Sequence, residues 1–150
     1  MSNDHKLHFD DLEEGARFEL GSVSLTKAEI IDFARQFDPQ AFHLDEEAGK
    51  AVFGGLAASG WHTASLYQRL LVDTFLQRVV CLGGAGIERL KFVRPVFADD
   101  RLSGFVTIAN KRLSKSKPDR GLIKLQCEMR NGDDELVLTL EALVMIGARQ

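Results

Sequence analysis

With 150 residues, the chain has the length of one domain; such a domain buries about 70% of its unfolded surface, and 45% hydrophobic with 27% charged residues excludes a disordered polymer. A net charge of −3 and the lack of a long basic run argue against nucleic acid as the main partner. No apolar stretch approaches the ~18 residues that span a bilayer, so no membrane partner is expected. The opening MSNDHKLHFDDLEEG has no apolar secretory region, and Cys81 and Cys127 form no C-x-x-C pair. A cytoplasmic protein with reduced, packed thiols is therefore expected.

Phe9 to Gly15 is acidic and polar and reads as a lead-in loop or surface strand. Arg17 to Leu25 mixes β-branched and apolar residues, as a short strand does. Thr26-Lys27-Ala28-Glu29 has capping-box spacing. Ile30, Phe33, Ala34 and Phe37 then recur along one face of a helix. Pro39 disfavours the α conformation at Asp38, so that helix is predicted to stop there, with Asp38 at its end. Residues 39–60 read mostly as loop, with a helical turn at Glu46 to Lys50 and helix-start acids at Asp45, Glu46 and Glu47. From Trp61 to about Gln77 the pattern is helical again. Ala64, Tyr67, Leu70, Leu71, Thr74 and Phe75 share a broad face, while Leu66 and Val72 lie off it. That is the pattern of a buried helix, apolar nearly all round.

The remainder reads as strand. Gly86 to Val93 and Arg101 to Arg112 come first. Then Ile123, Leu125, Cys127 and Met129 alternate with polar neighbours, as do Leu136, Leu138, Leu140, Ala142, Val144 and Ile146. Asn131-Gly132-Asp133-Asp134 and the Lys115 to Gly121 segment with Pro118 are hairpin turns. Helix, long loop, buried helix and antiparallel meander make one α+β domain, its sheet wrapped against a central helix.

The candidate chemistry lies between Asp38 and Gly60. Asp38 and His43 stand five residues apart around Pro39. A carboxylate and an imidazole that converge on one water can activate it and carry its proton. A turn-capping acid beside a satisfied histidine has the same spacing. Gly54, Gly55 and Gly60 suit positive φ or a close approach, and the Gly60 N–H at the start of a helix can receive developing negative charge. Ser59 is a natural N-cap, and His62 reads as a core or cap histidine. His5 and His8 form no zinc spacing with it, so no metal is expected. There is no G-x-S-x-G elbow and no GxxxxGK loop. Lys111, Arg112, Lys115, Lys117 and Arg120 cluster around one hairpin, either as a solvated turn or as a dock for an anionic ligand tail.

At these residues the chain resembles the MaoC-like dehydratases, which include the (R)-specific enoyl-CoA hydratases. The resemblance rests on Asp38-Pro39-Gln40-Ala41-Phe42-His43-Leu44-Asp45, on Phe53-Gly54-Gly55-Leu56-Ala57-Ala58-Ser59-Gly60 and on Phe92-Val93-Arg94-Pro95-Val96, and it covers roughly residues 9–147. Departures are Ser59-Gly60 where many members have His-Gly, Asp99-Asp100 where many have Gly-Asp, and Trp61 and His62 where smaller or aliphatic residues are frequent. The resemblance implies a hotdog fold, a curved antiparallel sheet around one long helix, in homodimers or dimers of dimers whose sheets join edge to edge. It implies an acyl-CoA substrate bound near the subunit interface and reversible addition of water across the 2,3-double bond of a 2-enoyl-CoA. Asp38 and His43 are then the catalytic pair and the Gly60 N–H the oxyanion donor. Phe42, Ser59 and Trp61 are the expected substrate contacts, with Phe42 and Trp61 narrowing the pocket towards short or medium chains. Lys115, Lys117 and Arg120 are the expected holders of the CoA phosphates. No metal or redox cofactor is required, and coenzyme A enters only as part of the substrate. A thioesterase on the same fold, or a non-catalytic acyl-CoA or acyl-carrier binding module, are the competing readings.

Overall fold

The structure is a computed structural model and describes residues 5–150. The capping box forms as its spacing predicts: the Glu29 N–H donates to the Thr26 hydroxyl at 3.2 Å, and the Thr26 N–H donates to the Glu29 carboxylate at 2.9 Å. It starts helix α1, Lys27–Phe37, which ends at Asp38 before Pro39. Ile30 and Ala34 face the core, while Phe37 is left largely exposed.

The segment that follows is more helical than its sequence suggests. Ala41–Leu44 forms α2 and Glu46–Phe53 forms α3. The Asp45 carboxylate caps α3 by accepting from the Ala48 N–H at 3.0 Å. Gly54 closes it at φ +88°, a left-handed C-cap that favours glycine. A helix as short as α2 offers no full period of apolar residues to read. The expected lead-in loop likewise holds a 3₁₀ turn, Phe9–Asp11, with Phe9 in the core.

Helix α4, Gly60–Thr74, is the central one, and a 3₁₀ turn at Leu76–Arg78 carries it to the predicted end. His62, Thr63, Tyr67 and Leu71 are buried, but Trp61, Ser65, Gln68, Arg69 and Asp73 form an exposed stripe. The expectation of an all-round buried helix is corrected here: within one chain, α4 is covered on one side only.

Five strands make one antiparallel sheet: β1 Arg17–Ser24, β2 Cys81–Phe92, β3 Arg101–Leu113, β4 Arg120–Arg130 and β5 Leu136–Gly147, in the order β1-β3-β4-β5-β2. In β4, Ile123, Leu125, Cys127 and Met129 all point inwards, as their alternation predicts. Together with Leu138, Val144 and Ile146 of β5 they pack in one core with Tyr67, Leu71 and Phe75. The buried Tyr67 hydroxyl is satisfied by the Phe105 carbonyl at 2.7 Å.

Strand β2 starts earlier than its sequence suggests. Gly83, Gly84 and Gly86 lower strand propensity, and the pairing with β5 shifts register three times. Among the described residues its outer edge has no partner strand, and Leu82, Ile87 and Phe92 on it are exposed. One helix held in the curve of such a sheet is the hotdog fold. No described helix is long and apolar enough to cross a membrane.

Candidate active site

Three chain segments meet at the end of the sheet marked by Phe92 and Val137. The first is the turn after α1, carrying Asp38, Gln40 and His43. The second is the loop before α4. It is tied to the residues after β2 by the Ala58 N–H to the Val96 carbonyl at 2.8 Å and by a bridge between Ala57 and Phe97. The third is the first turn of α4 itself. They enclose a cavity of about 530 Å³ lined by Asp38, Gln40, His43, Phe53, Gly60, Trp61, Phe92 and Arg94 among others.

Asp38 and His43, left open by their spacing and paired by the resemblance, lie side by side. The His43 Nε2 lies 3.4 Å from the Asp38 Oδ2, and the two side chains are 8% and 18% exposed. That separation exceeds the usual hydrogen-bond range, and both groups line the cavity, where a water to one side of the pair can meet both. The His43 Nδ1 lies 2.7 Å from the Ala57 carbonyl. A carbonyl only accepts, so Nδ1 carries a proton, and Nε2 is the nitrogen turned towards Asp38 and the cavity. The imidazole is fixed laterally by Phe42, edge-on at 4.6 Å between centroids, and by Phe53, parallel at 6.4 Å.

The Asp38 carboxylate has donors on both oxygens. Gln40 donates to Oδ1 at 2.7 Å and the Ser59 hydroxyl to Oδ2 at 2.7 Å. Burial pushes this carboxyl up, but the bonds from Gln40 and Ser59 and the adjacent His43 ring together hold it below its ordinary value. Gln40, two residues after Asp38, and the Ala57 carbonyl are site members that the spacing of acid and histidine did not single out.

Gly60 lines the same cavity, and among the described residues its N–H donates to no acceptor. It sits in the first turn of α4, where backbone donors are free and the helix dipole favours negative charge. Its lack of a side chain has a steric cause: a Cβ there would lie 2.5 Å from carbons of the Phe92 ring. Phe92 in turn meets Trp61 edge-on, with centroids 5.6 Å apart. Those two rings form the apolar lip of the cavity.

Other expected contacts are placed differently. Ser59 is fully buried, and its hydroxyl is occupied by Asp38 and by the Trp61 N–H, so it does not line the cavity. Phe42 packs on His43 and Phe53 rather than into the cavity. Lys115, Lys117 and Arg120 sit at the Gly147 end of the sheet, opposite the end that holds Asp38. Of that hairpin's cations, Lys111 is committed to the carbonyls of Phe9 and Leu12, and Arg120 pairs with Asp119. Arg112, Lys115 and Arg120 line a separate cavity of about 400 Å³. A larger apolar cavity, about 630 Å³, lies between the last turns of α4 and the free β2 edge, away from the Asp38–His43 pair.

His62 faces away from the cavity. It is 8% exposed and stacks on Phe33 at 4.6 Å, with Nδ1 unpartnered. Burial lowers its pKa, partly opposed by the Glu29 charge. A lowered folded-state value means that protons prefer the unfolded chain. His62 therefore imposes no stability penalty above the ordinary histidine pKa of about 6.5, and a growing one as pH falls below it. His62→Phe keeps an aromatic stack on Phe33 and removes the titration. Its Tm should drop less than wild type between pH 7 and pH 5, and equal drops would remove His62 from the acid response.

Fold and site together define a hotdog protein with a carboxylate, an imidazole and a free backbone donor gathered in one cavity. The MaoC-like domain family matches residues 12–125, and the chain belongs to that family of dehydratases and hydratases. It is similar to the MaoC-like dehydratase of Rhodospirillum rubrum, with 40% identity and a TM-score of 0.88 over 96% of this chain and 99% of that one. An (R)-hydratase of A. caviae involved in PHA biosynthesis aligns with 28% identity and a TM-score of 0.69, over 89% of this chain and 96% of that one. The uncharacterised Bacillus subtilis protein YdeM is 28% identical over 93% of this chain and 99% of its own length.

Proposed function

We propose that this protein reversibly adds water across the 2,3-double bond of a 2-enoyl-CoA, giving the 3-hydroxyacyl-CoA. The observation that carries this reading is the His43 Nε2 set 3.4 Å from the Asp38 carboxylate, in one cavity with the free Gly60 N–H. A water that meets both groups gives its proton to Nε2 as its oxygen bonds to C3. The π electrons move to the thioester oxygen as an enolate, which the Gly60 N–H receives. Asp38 stays ionised and stabilises the imidazolium. The enolate then collapses and takes the proton from Nε2 at C2, which restores both side chains. Coenzyme A takes part only as the carrier of the acyl group, and the residues named supply the acid–base chemistry without a metal or redox cofactor.

The test is a panel of 2-enoyl-CoAs of increasing chain length, followed at once for loss of enoyl absorbance and for free thiol. Loss of absorbance with the thioester intact supports hydration. Thiol release at the same rate makes the protein a thioesterase, and silence on both channels makes it a binding module.

The free β2 edge is proposed to pair with the same edge of a second copy, since a long unpaired edge is otherwise an aggregation hazard. Antiparallel pairing about a two-fold axis places the Phe92 end of one β2 beside the Cys81 end of the other. The basic hairpin of the second copy then lies about three strand spacings, or ~14 Å, to the side of the Asp38 cavity. Within one chain the same hairpin is separated from that cavity by the length of β4, about 36 Å. The hairpin cations are thus proposed to hold the CoA phosphates at the partner's site. Replacing Lys115 and Arg120 with Ala should raise KM for CoA substrates and flatten its salt dependence. An unchanged KM and salt response would leave the hairpin a solvated turn.

A further inference from the structure

We propose that Ser59 is a positioning residue that sets the division of labour in the Asp38–His43 pair, by joining the cap of α4 and the carboxylate through a single hydroxyl. A serine hydroxyl has one proton and two lone pairs. The Trp61 N–H approaches the Ser59 Oγ at 3.2 Å and takes a lone pair as the helix cap. The proton is thereby directed to the Asp38 Oδ2, 2.7 Å away. Ser59 is fully buried, so no solvent competes for that hydrogen.

The consequence falls on Asp38. It sits at the C-terminal end of α1, where the helix dipole disfavours a negative charge. Ser59 on one oxygen and Gln40 on the other offset that and hold the carboxylate in a fixed plane. With a donor on each oxygen, Asp38 is a weaker proton acceptor than a free carboxylate. The base is then the His43 Nε2, whose tautomer is fixed from the other side by the Ala57 carbonyl. The same Ser59 hydroxyl caps the helix turn that carries the Gly60 N–H. Carboxylate and oxyanion donor are therefore held in register through one atom.

The kinetic arm of the test rests on the hydratase reading, while the titration arm does not. Ser59→Ala removes both donor and cap. Ser59→Gly removes the donor but keeps a tolerable N-cap, since glycine there costs only a few tenths of a kcal/mol. Asp38 is titrated by carboxyl ¹³C NMR, with its signal assigned by its loss in Asp38→Asn. Both Ser59 variants should move the Asp38 midpoint upward, and both should lower kcat by about 10-fold, with a smaller change in KM. A mere helix-cap role predicts a wild-type Asp38 midpoint and wild-type kcat in Ser59→Gly, and that result would overturn the proposal. If wild-type protein hydrates no 2-enoyl thioester, the functional reading fails on its own. The Asp38 midpoint then still decides the role of Ser59.

Discussion

Asp38→Asn and His43→Gln each lower kcat for hydration of a 2-enoyl-CoA by at least about 100-fold, the low end for general acid–base groups. The two losses have different causes. His43→Gln removes the lone pair that accepts the water's proton, and a glutamine amide cannot replace it. Asp38→Asn keeps the shape but removes the charge that stabilises the imidazolium and orients the water. It also turns an amide N–H₂ towards one of the two groups that already donate, Gln40 or Ser59. Stability should change by about 1–3 kcal/mol at most in either variant, the cost of one buried polar partner left unmade, so folded protein remains for assay. Near wild-type turnover in either variant would remove that residue from the mechanism. The double variant should lose little more than the worse single one, because groups that act as a unit are not additive.

Much of this site was legible in the sequence because its determinants are local. The capping box at Thr26 and the proline after Asp38 fix where α1 starts and ends, and so where the carboxylate lands. The five-residue spacing to His43 survives folding because α2 turns the chain back at once. The regular alternation in β4 and β5 gave their inward faces directly. The parts that were not legible depend on distant contacts. Ser59 looks like a helix cap and is one, but its second bond spans 21 positions to Asp38. The Ala57 carbonyl that sets the His43 tautomer carries no side-chain signature. Strand β2 is broken by Gly83, Gly84 and Gly86 and starts earlier than its β-branched residues suggest. The exposed stripe on α4 was hidden by Leu66 and Val72, which are only partly buried. Asp99 takes a left-handed conformation at φ +67°, and the Asp100 carboxylate accepts from the Phe97 N–H to hold that turn.

Gly60→Ala separates fold from function most sharply. By helix propensity alone the change is favourable, by up to about 1 kcal/mol, and it also restricts the unfolded chain. The new methyl would lie 2.5 Å from the Phe92 ring, so that ring must move. Phe92 is 48% exposed and can swing outwards at little cost in stability. Its displacement takes away the edge that Trp61 packs against, at 5.6 Å between centroids, and so alters the lip of the cavity beside the oxyanion donor. A misplacement of about 1 Å in such a site can cost about 100-fold in rate. Turnover should therefore fall by about 10- to 100-fold while Tm holds or rises. Phe92→Ala in the same chain removes the collision and leaves the residue-60 N–H in place. If the loss is steric, the double variant recovers most of the kcat lost in Gly60→Ala, a coupling that a double-mutant cycle measures. If Gly60→Ala turns over like wild type, the packing of Phe92 is not linked to catalysis. If the double variant stays as slow as the single one, the methyl acts on the donor itself rather than through the ring.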